Sequence, residues 1–352
     1  MSISFLDFLN NLINIPSLLI ITVLISAVMF INGCLDVPNA VATCVGTRSM
    51  EPKKALILAA VFEFLGILVI TFISSKVAET VFNIVNLEGS ISNNLITLCS
   101  AMIGIVLWCL ISWVLGIPSS QSHALIAGLA GAAIALQGGF AGVNFDELKK
   151  VFYGLIIVNI LAFILGLVIT RTIEAICRYM DRRKTNRFFK VTQIFGAMIM
   201  CFMNGAQDGQ KFMAFLLLGV VLSKGNIQSF GNFSIPMWLI LYCSSLIALG
   251  AIIGGLRIIK TVGMKVAKVE RYQGTAADIS SAICLFGSSI LGIPVSSTHT
   301  KNSAVIGVGA SKGLSRVNWR VARNMVLTWI FTFPCCGLLG FIVTKILIGI
   351  FG

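Results

Sequence analysis

The sequence predicts an all-α polytopic membrane protein made of two inverted-topology repeats, with broken helices and two Ser/Thr-rich hairpins. Three observations carry that fold class. Charged residues are 11% of the 352 and hydrophobic residues 57%, with a mean hydropathy of +0.97; a soluble domain needs roughly 25% charge to cover its surface. Long stretches of the chain carry no charge at all, and two motifs occur twice in the same order. This composition excludes a secreted, cytosolic or nucleic-acid-binding chain. The net charge of +13 then reads as basic loops held on the cytoplasmic side.

The elements follow from the charge-free runs, since a helix needs about 20 apolar residues to cross a bilayer. Residues 8–35, 151–170, 191–207, 225–256, 279–300 and 324–344 lack Asp, Glu, Lys and Arg, residues 55–75 carry only Glu63, and 89–145 is long enough for two crossings. The N-terminus lacks the basic start and A-x-A site of a cleavable signal, so the first apolar segment is expected to stay as a span. The ten Cys contain no C-x-x-C pair and lie in apolar segments, as small buried hydrophobes do.

The basic segment 171–190 holds Arg171, Arg178, Arg182, Arg183, Lys184, Arg187 and Lys190, which makes it cytoplasmic. Walking outward from it in both directions gives each half the order crossing, crossing, in-and-out pair, crossing, with opposite orientation. That construction is common in secondary transporters. The expected division is a first membrane repeat over 1–170, a basic cytoplasmic linker over 171–190, and a second, inverted repeat over 191–352. The expected location is the cell membrane, multi-pass, with both termini outside.

The repeat is also written in the residues. Asn32-Gly33-x-x-Asp36 recurs as Asn204-Gly205-x-x-Asp208, at an offset of 172. Gly116-Ile117-Pro118-Ser119-Ser120-x-Ser122-His123 recurs as Gly292-Ile293-Pro294-Val295-Ser296-Ser297-Thr298-His299, at an offset of 176. In the first motif, Gly33, Pro38 and Asn39 interrupt an apolar helix, and an Asp at membrane depth costs roughly 2.5 kcal/mol or more. Asp36, Asn32 and Asn39, with Asp208 and Asn204 from the second copy, supply hard oxygen ligands for a driving cation, with Na+ expected at Asp36, Asn39 and Asp208. Lys211 stands where the first copy has Asn39. It carries two readings, a side-chain cation in the place of a bound ion and a plain ion pair with Asp208. Glu63 also carries two, an ion or substrate path and a pairing with a neighbouring helix.

In the second motif, Pro near a helix start and the hydroxyls of Ser119, Ser120, Ser122, Ser296, Ser297 and Thr298 leave donors free at the positive helix end, an arrangement that suits an anion. Neither motif contains Lys or Arg, so the cradle is expected to be neutral. His123 and His299, the two histidines of the chain, occupy equivalent positions; a proton or gating role and a hydrogen bond closing each loop are both open.

These residues resemble the inorganic phosphate transporter (PiT) family. Its N-G-x-x-D-x-x-N-A-x-A-T-x-x-x-T-R type motif is matched by Asn32 to Arg48, and its P-x-S-x-S-H-A-L type motif by Pro118 to Leu125. The second half matches in Gly205-x-x-Asp208-x-Gln210-Lys211, in Gly292 to His299, in Gly254 to Gly263 and in Val317 to Ala322. The resemblance implies symport of phosphate with Na+ or H+, with no cofactor beyond the co-transported ion. The two repeats are expected to rock to alternate access. No enzyme is expected, because the sequence has no G-x-S-x-G or H-E-x-x-H and no third base to pair with either His. The partners are inorganic phosphate and the lipid bilayer, with a homo-oligomer left open. A sulfate or other oxyanion permease on the same scaffold, or a passive anion channel, are the alternatives. Phosphate is favoured because, at neutral pH, it can donate a hydrogen bond to a carboxylate such as Asp36 or Asp208, and sulfate cannot.

Overall fold

The structure is a computed structural model that describes residues 4–87, 89–115, 120–224, 235–262 and 269–352. Its helices are α1 (Phe5–Asn14), α2 (Pro16–Leu35), α3 (Val37–Gly46), α4 (Pro52–Ile73), α5 (Lys76–Phe82), α6 (Ile91–Leu115), α7 (Gln121–Gln137), α8 (Phe145–Cys177), α9 (Arg182–Ser223), α10 (Met237–Val262), α11 (Arg271–Leu291), α12 (Ser297–Ser311) and α13 (Trp319–Phe351). Apart from one isolated bridge between Val85 and Val143, no strand occurs among the described residues. Eight helical stretches are long and apolar enough to cross a membrane, with α2 and α3 counted as one. The protein is therefore an all-helical, multi-pass membrane protein.

Helix starts and ends follow local chemistry. Pro16, Pro38 and Pro52 sit in the first turns of α2, α3 and α4, where a missing N–H costs nothing. Gly138 after α7 and Gly292 after α11 take φ near +68° and +69°, the left-handed cap that glycine adopts without strain. The first apolar run is divided at Ile15, so that α1 is a separate short helix whose Phe8 ring stacks on Trp238 at 4.6 Å. The expected interruption near Gly33 falls at Asp36, a helical residue joining α2 to α3. In the second copy the helix is not interrupted: α9 runs unbroken through Asn204, Gly205 and Asp208. That copy has no counterpart of Pro38, because Gln210 stands at the equivalent position.

The second arms of the hairpins, α7 and α12, have 17 and 15 residues, short of the roughly 20 that cross a bilayer. They are buried almost along their whole length. The outer helices α8 and α13 instead show apolar side chains to the outside, among them Ile156, Ile160, Ile330 and Leu338, as lipid-facing surfaces do.

The helices touch through small residues, and the contacts come in matching sets. A side chain on Gly33 of α2 would strike the Ile247 carbonyl of α10, and one on Gly205 of α9 would strike the Glu63 carbonyl of α4. Gly131 of α7 packs on the Gly337 backbone of α13, and Gly307 of α12 on the Phe163 backbone of α8. Thr170 in α8 and Thr344 in α13 each donate to the carbonyl four residues earlier, both at 2.7 Å. Small residues let helix backbones approach closely in lipid. All four close approaches join residues 1–170 to residues 191–352, so the sequence halves interlock rather than lie side by side.

Candidate substrate and cation site

Six charged side chains are buried among the described residues: Asp36, Glu63, Asp208, Lys211, Asp278 and Lys301. The first four gather where α2, α4, α9 and both hairpins meet. Asp208 and Lys211 lie one turn apart on α9. Their ion pair is 3.0 Å long, and Asn32 of α2 donates to the other Asp208 oxygen at 3.2 Å. Lys211 also donates to the Ser122 hydroxyl of the first hairpin at 2.8 Å and to the Val295 carbonyl of the second at 2.5 Å. At the α2–α3 junction, Asp36 accepts from the Thr298 hydroxyl. Glu63 accepts from the Asn204 amide at 2.9 Å, and its second oxygen has no partner among the described residues.

The structure thus brings the two hairpins together on one ammonium group. The expectation of a neutral cradle needs correction: neither hairpin motif contains a cation, but α9 inserts Lys211 between them. Ser120 and Ser296 cap α7 and α12 by accepting the backbone N–H of His123 and His299, both at 3.3 Å. Serine oxygens are good N-caps because they satisfy a free N–H of the first turn. The Ser297 hydroxyl is buried without a partner among the described residues. Ser119 lies outside them. Asn39 donates to the Leu35 carbonyl at 3.1 Å, and its side-chain oxygen is unpartnered.

The imidazoles do not close the loops by hydrogen bonds. Their ring nitrogens have no partner among the described residues; instead the His123 and His299 rings meet edge to face at 4.4 Å. His299 stacks on Trp329 at 4.0 Å, and His123 lies 4.8 Å from Phe333, both on α13. The serine oxygens and the histidine main chain close the loops instead.

Sequence reasoning missed several residues. Gln207 ties the second hairpin to α9: its amide donates to the Ser288 and Ser289 hydroxyls at 3.0 and 2.9 Å, and its oxygen accepts from Val295 N–H at 3.3 Å. The Asp278–Lys301 ion pair was also missed. Its two members bound the charge-free run 279–300 on either side, which made them look like the ends of a span. Toward the 171–190 segment, a cavity of about 830 Å³ is lined by Thr47, Glu174, Arg178, Arg182, Tyr272 and Lys312, among others. Beside it, Gln193 accepts from Thr47 at 2.7 Å and Ser49 at 2.6 Å.

Comparison with known proteins agrees with this architecture. The sequence profile of the phosphate transporter family matches residues 32–340. A probable low-affinity inorganic phosphate transporter of Bacillus subtilis is 38% identical over 338 residues, covering 95% of this chain and 99% of the relative. Its counterpart in Rhizobium meliloti is 36% identical over 310 residues, covering 88% and 90%. A solved structure titled "The sodium-dependent phosphate transporter" superposes with a TM-score of 0.86 at 24% identity, over 96% of this chain and 100% of that one; at that identity the likeness is one of fold. Interlocked membrane helices, two short hairpins meeting at buried charges and a profile match over most of the chain agree: the chain belongs to the phosphate transporter family, a family of transporters and not of enzymes.

Proposed function

We propose that this chain is a cation-coupled symporter of inorganic phosphate that works by alternating access. One observation carries the coupling. Of the four carboxylates buried among the described residues, Asp208 and Asp278 form ion pairs with lysines, whereas Asp36 is hydrogen-bonded by Thr298 and Asn39, and Glu63 by Asn204, with no salt bridge to either among the described residues. A buried charge without a counter-charge is costly. Na+ or H+ at Asp36 and Glu63, with Asn39 offering a free oxygen beside the first, removes that cost. Phosphate is held by Lys211 and by the hydroxyls of Ser120, Ser122, Ser296, Ser297 and Thr298, with Ser119, which lies outside the described residues, proposed to join them from the same motif. The phosphate charge and the two carboxylates repel each other across a low-dielectric site, so anion and cation each favour binding of the other. That mutual dependence is the physical content of coupling.

The interlocked packing shapes how access alternates. Each hairpin is clasped to the last helix of the other half, α7 to α13 and α12 to α8. The moving units in this reading are therefore the clasped groups α6–α7–α13 and α8–α11–α12, displaced against α2, α4, α9 and α10, with the two-repeat, inverted arrangement providing two mirror-related states. The cavity beside Thr47 serves as the cytoplasmic vestibule, where Arg178, Arg182 and Arg271 raise the local concentration of an anion while Lys312 is paired with Glu270. His123 and His299, packed on α13, act as hinge packing for the hairpin tips.

The test is radiolabelled phosphate uptake into proteoliposomes under a Na+ gradient at equal pH, compared with a pH gradient without Na+. Accumulation under one gradient assigns the coupling ion. Equilibration without accumulation under both would make the protein a passive channel, and accumulation of sulfate in place of phosphate would move it to another oxyanion.

A further inference from the structure

Lys301 lies on α12, two residues beyond His299, and its side chain reaches α11, the first arm of its own hairpin, and α3. It pairs with Asp278 of α11, and donates to Thr43 Oγ1 at 3.2 Å and to the Ala40 carbonyl at 3.4 Å, both on α3. Thr43 in turn donates to Asp278 at 3.0 Å. The ammonium group is therefore held by one carboxylate, one hydroxyl and one backbone carbonyl. Lys211 is held by the same set: Asp208, Ser122 and the Val295 carbonyl. Such a set is the hard-oxygen environment that suits a bare cation. Asp278 is fully buried; Lys301 and Thr43 share one of its oxygens, and the second, near Gly196 of α9, has no partner among the described residues.

The other half of the molecule shows that packing alone does not demand these charges. At the repeat offset of 176, Asp278 and Lys301 correspond to Met102 and Leu125, and at 172 Thr43 corresponds to Phe215. All three counterparts are buried apolar residues. A buried ion pair pays for desolvation that an apolar pair does not, and replacing one by apolar residues is often neutral or stabilising. The second half has the costlier arrangement at a place where the first manages without it.

We propose that Asp278, Thr43 and the Ala40 carbonyl form a monovalent-cation site that this chain fills with its own Lys301 ammonium, a tethered cation in place of an exchangeable one. The wild-type protein then needs no free cation at this position, and the coupling ions fall to Asp36 and Glu63. Shortening Lys301 vacates the cage and turns it into a site for ammonium, Na+ or K+. The inference concerns a different set of ligands from the coupling reading, and its binding test does not depend on transport.

The experiment measures the Tm of the purified full chain in detergent, titrated with ammonium, sodium or potassium chloride against N-methylglucamine chloride at constant ionic strength. Lys301→Ala is expected to show a saturable rise of about 3 °C or more with at least one small cation. Wild type and the Asp278→Met, Lys301→Leu double variant, which copies the first half, are expected to show none. Lys301→Ser, a second way of vacating the cage, is expected to behave like Lys301→Ala. A single variant that survives purification only when a small cation is present gives the same answer. The proposal is overturned if neither single variant responds to cations, if the double variant responds as they do, or if both single variants are lost in every salt while the double variant survives.

Discussion

Two buried aspartates on equivalent motifs have unlike surroundings, and their substitutions separate accordingly. Asp36 is held by a neutral hydroxyl, so Asp36→Asn leaves no charge stranded; we expect normal expression with coupled phosphate uptake reduced at least about tenfold, a loss of 1.4 kcal/mol or more. Asp208 neutralises Lys211, so Asp208→Asn strands an ammonium in the interior, at a cost of about 3–5 kcal/mol. That variant is expected to fail at the level of folding, seen as loss of monodisperse protein on size exclusion. Uptake near wild type in Asp36→Asn would remove Asp36 from the coupling site. At this scale the sequence was legible where a residue was both duplicated and out of place. Asp36 with Asp208, Ser120 with Ser296 and Ser122 with Thr298 stood out because they pair at a fixed offset. Asp278 and Lys301 were not legible: their counterparts are Met102 and Leu125, so no repeat flagged them. The reach of Lys211 into the hairpins was hidden for another reason, since a hydrogen bond spanning 89 positions of sequence leaves no local trace.

The elements hold their places through backbone contact, which makes them sensitive to a single methyl group. Gly205→Ala would press a Cβ into the Glu63 carbonyl, and Gly307→Ala one into the Phe163 carbonyl. Backbone cannot swing aside as a side chain does, so each is expected to cost about 1–3 kcal/mol, readable as a lower Tm. Gly138→Ala and Gly287→Ala serve as contrasts, because a side chain there meets no neighbour within 4 Å. Gly138 has positive φ and pays only in backbone strain, while Gly287 is helical and is expected to be neutral or better. The hairpins were legible from charge parity, because a long apolar run that starts and ends on one side must turn back. The division of the first run into α1 and α2 was not. A proline in a first turn and one mid-helix look alike until the register is known, and a Gly in lipid is tolerated within a helix.

For the whole molecule, composition decided the environment and the repeat suggested the architecture, but the interlocking of the halves had no signature in either. Periodicity reports which face of a helix is apolar and not which partner covers it. The orientation remains a prediction with a direct check. Single cysteines introduced at Thr185 in the basic segment of a cysteine-depleted chain should react with an impermeant maleimide only after the membrane is opened, as the positive-inside rule requires. The clasp of α7 by α13 also has a consequence in time. The chain is inserted from its N-terminus, at about 5–20 residues per second. The first hairpin is therefore made early, yet the face of its short second arm that α13 covers stays open, with α6 packed on the other side, until the last helix arrives roughly 10–40 s later at that rate. During that interval one face of α7 is a buried surface without its cover. The nascent protein must shelter it in the insertion machinery or leave it unsettled at the membrane surface, and a ribosome stalled before residue 319 would hold a half-made transporter whose first hairpin has nowhere to dock.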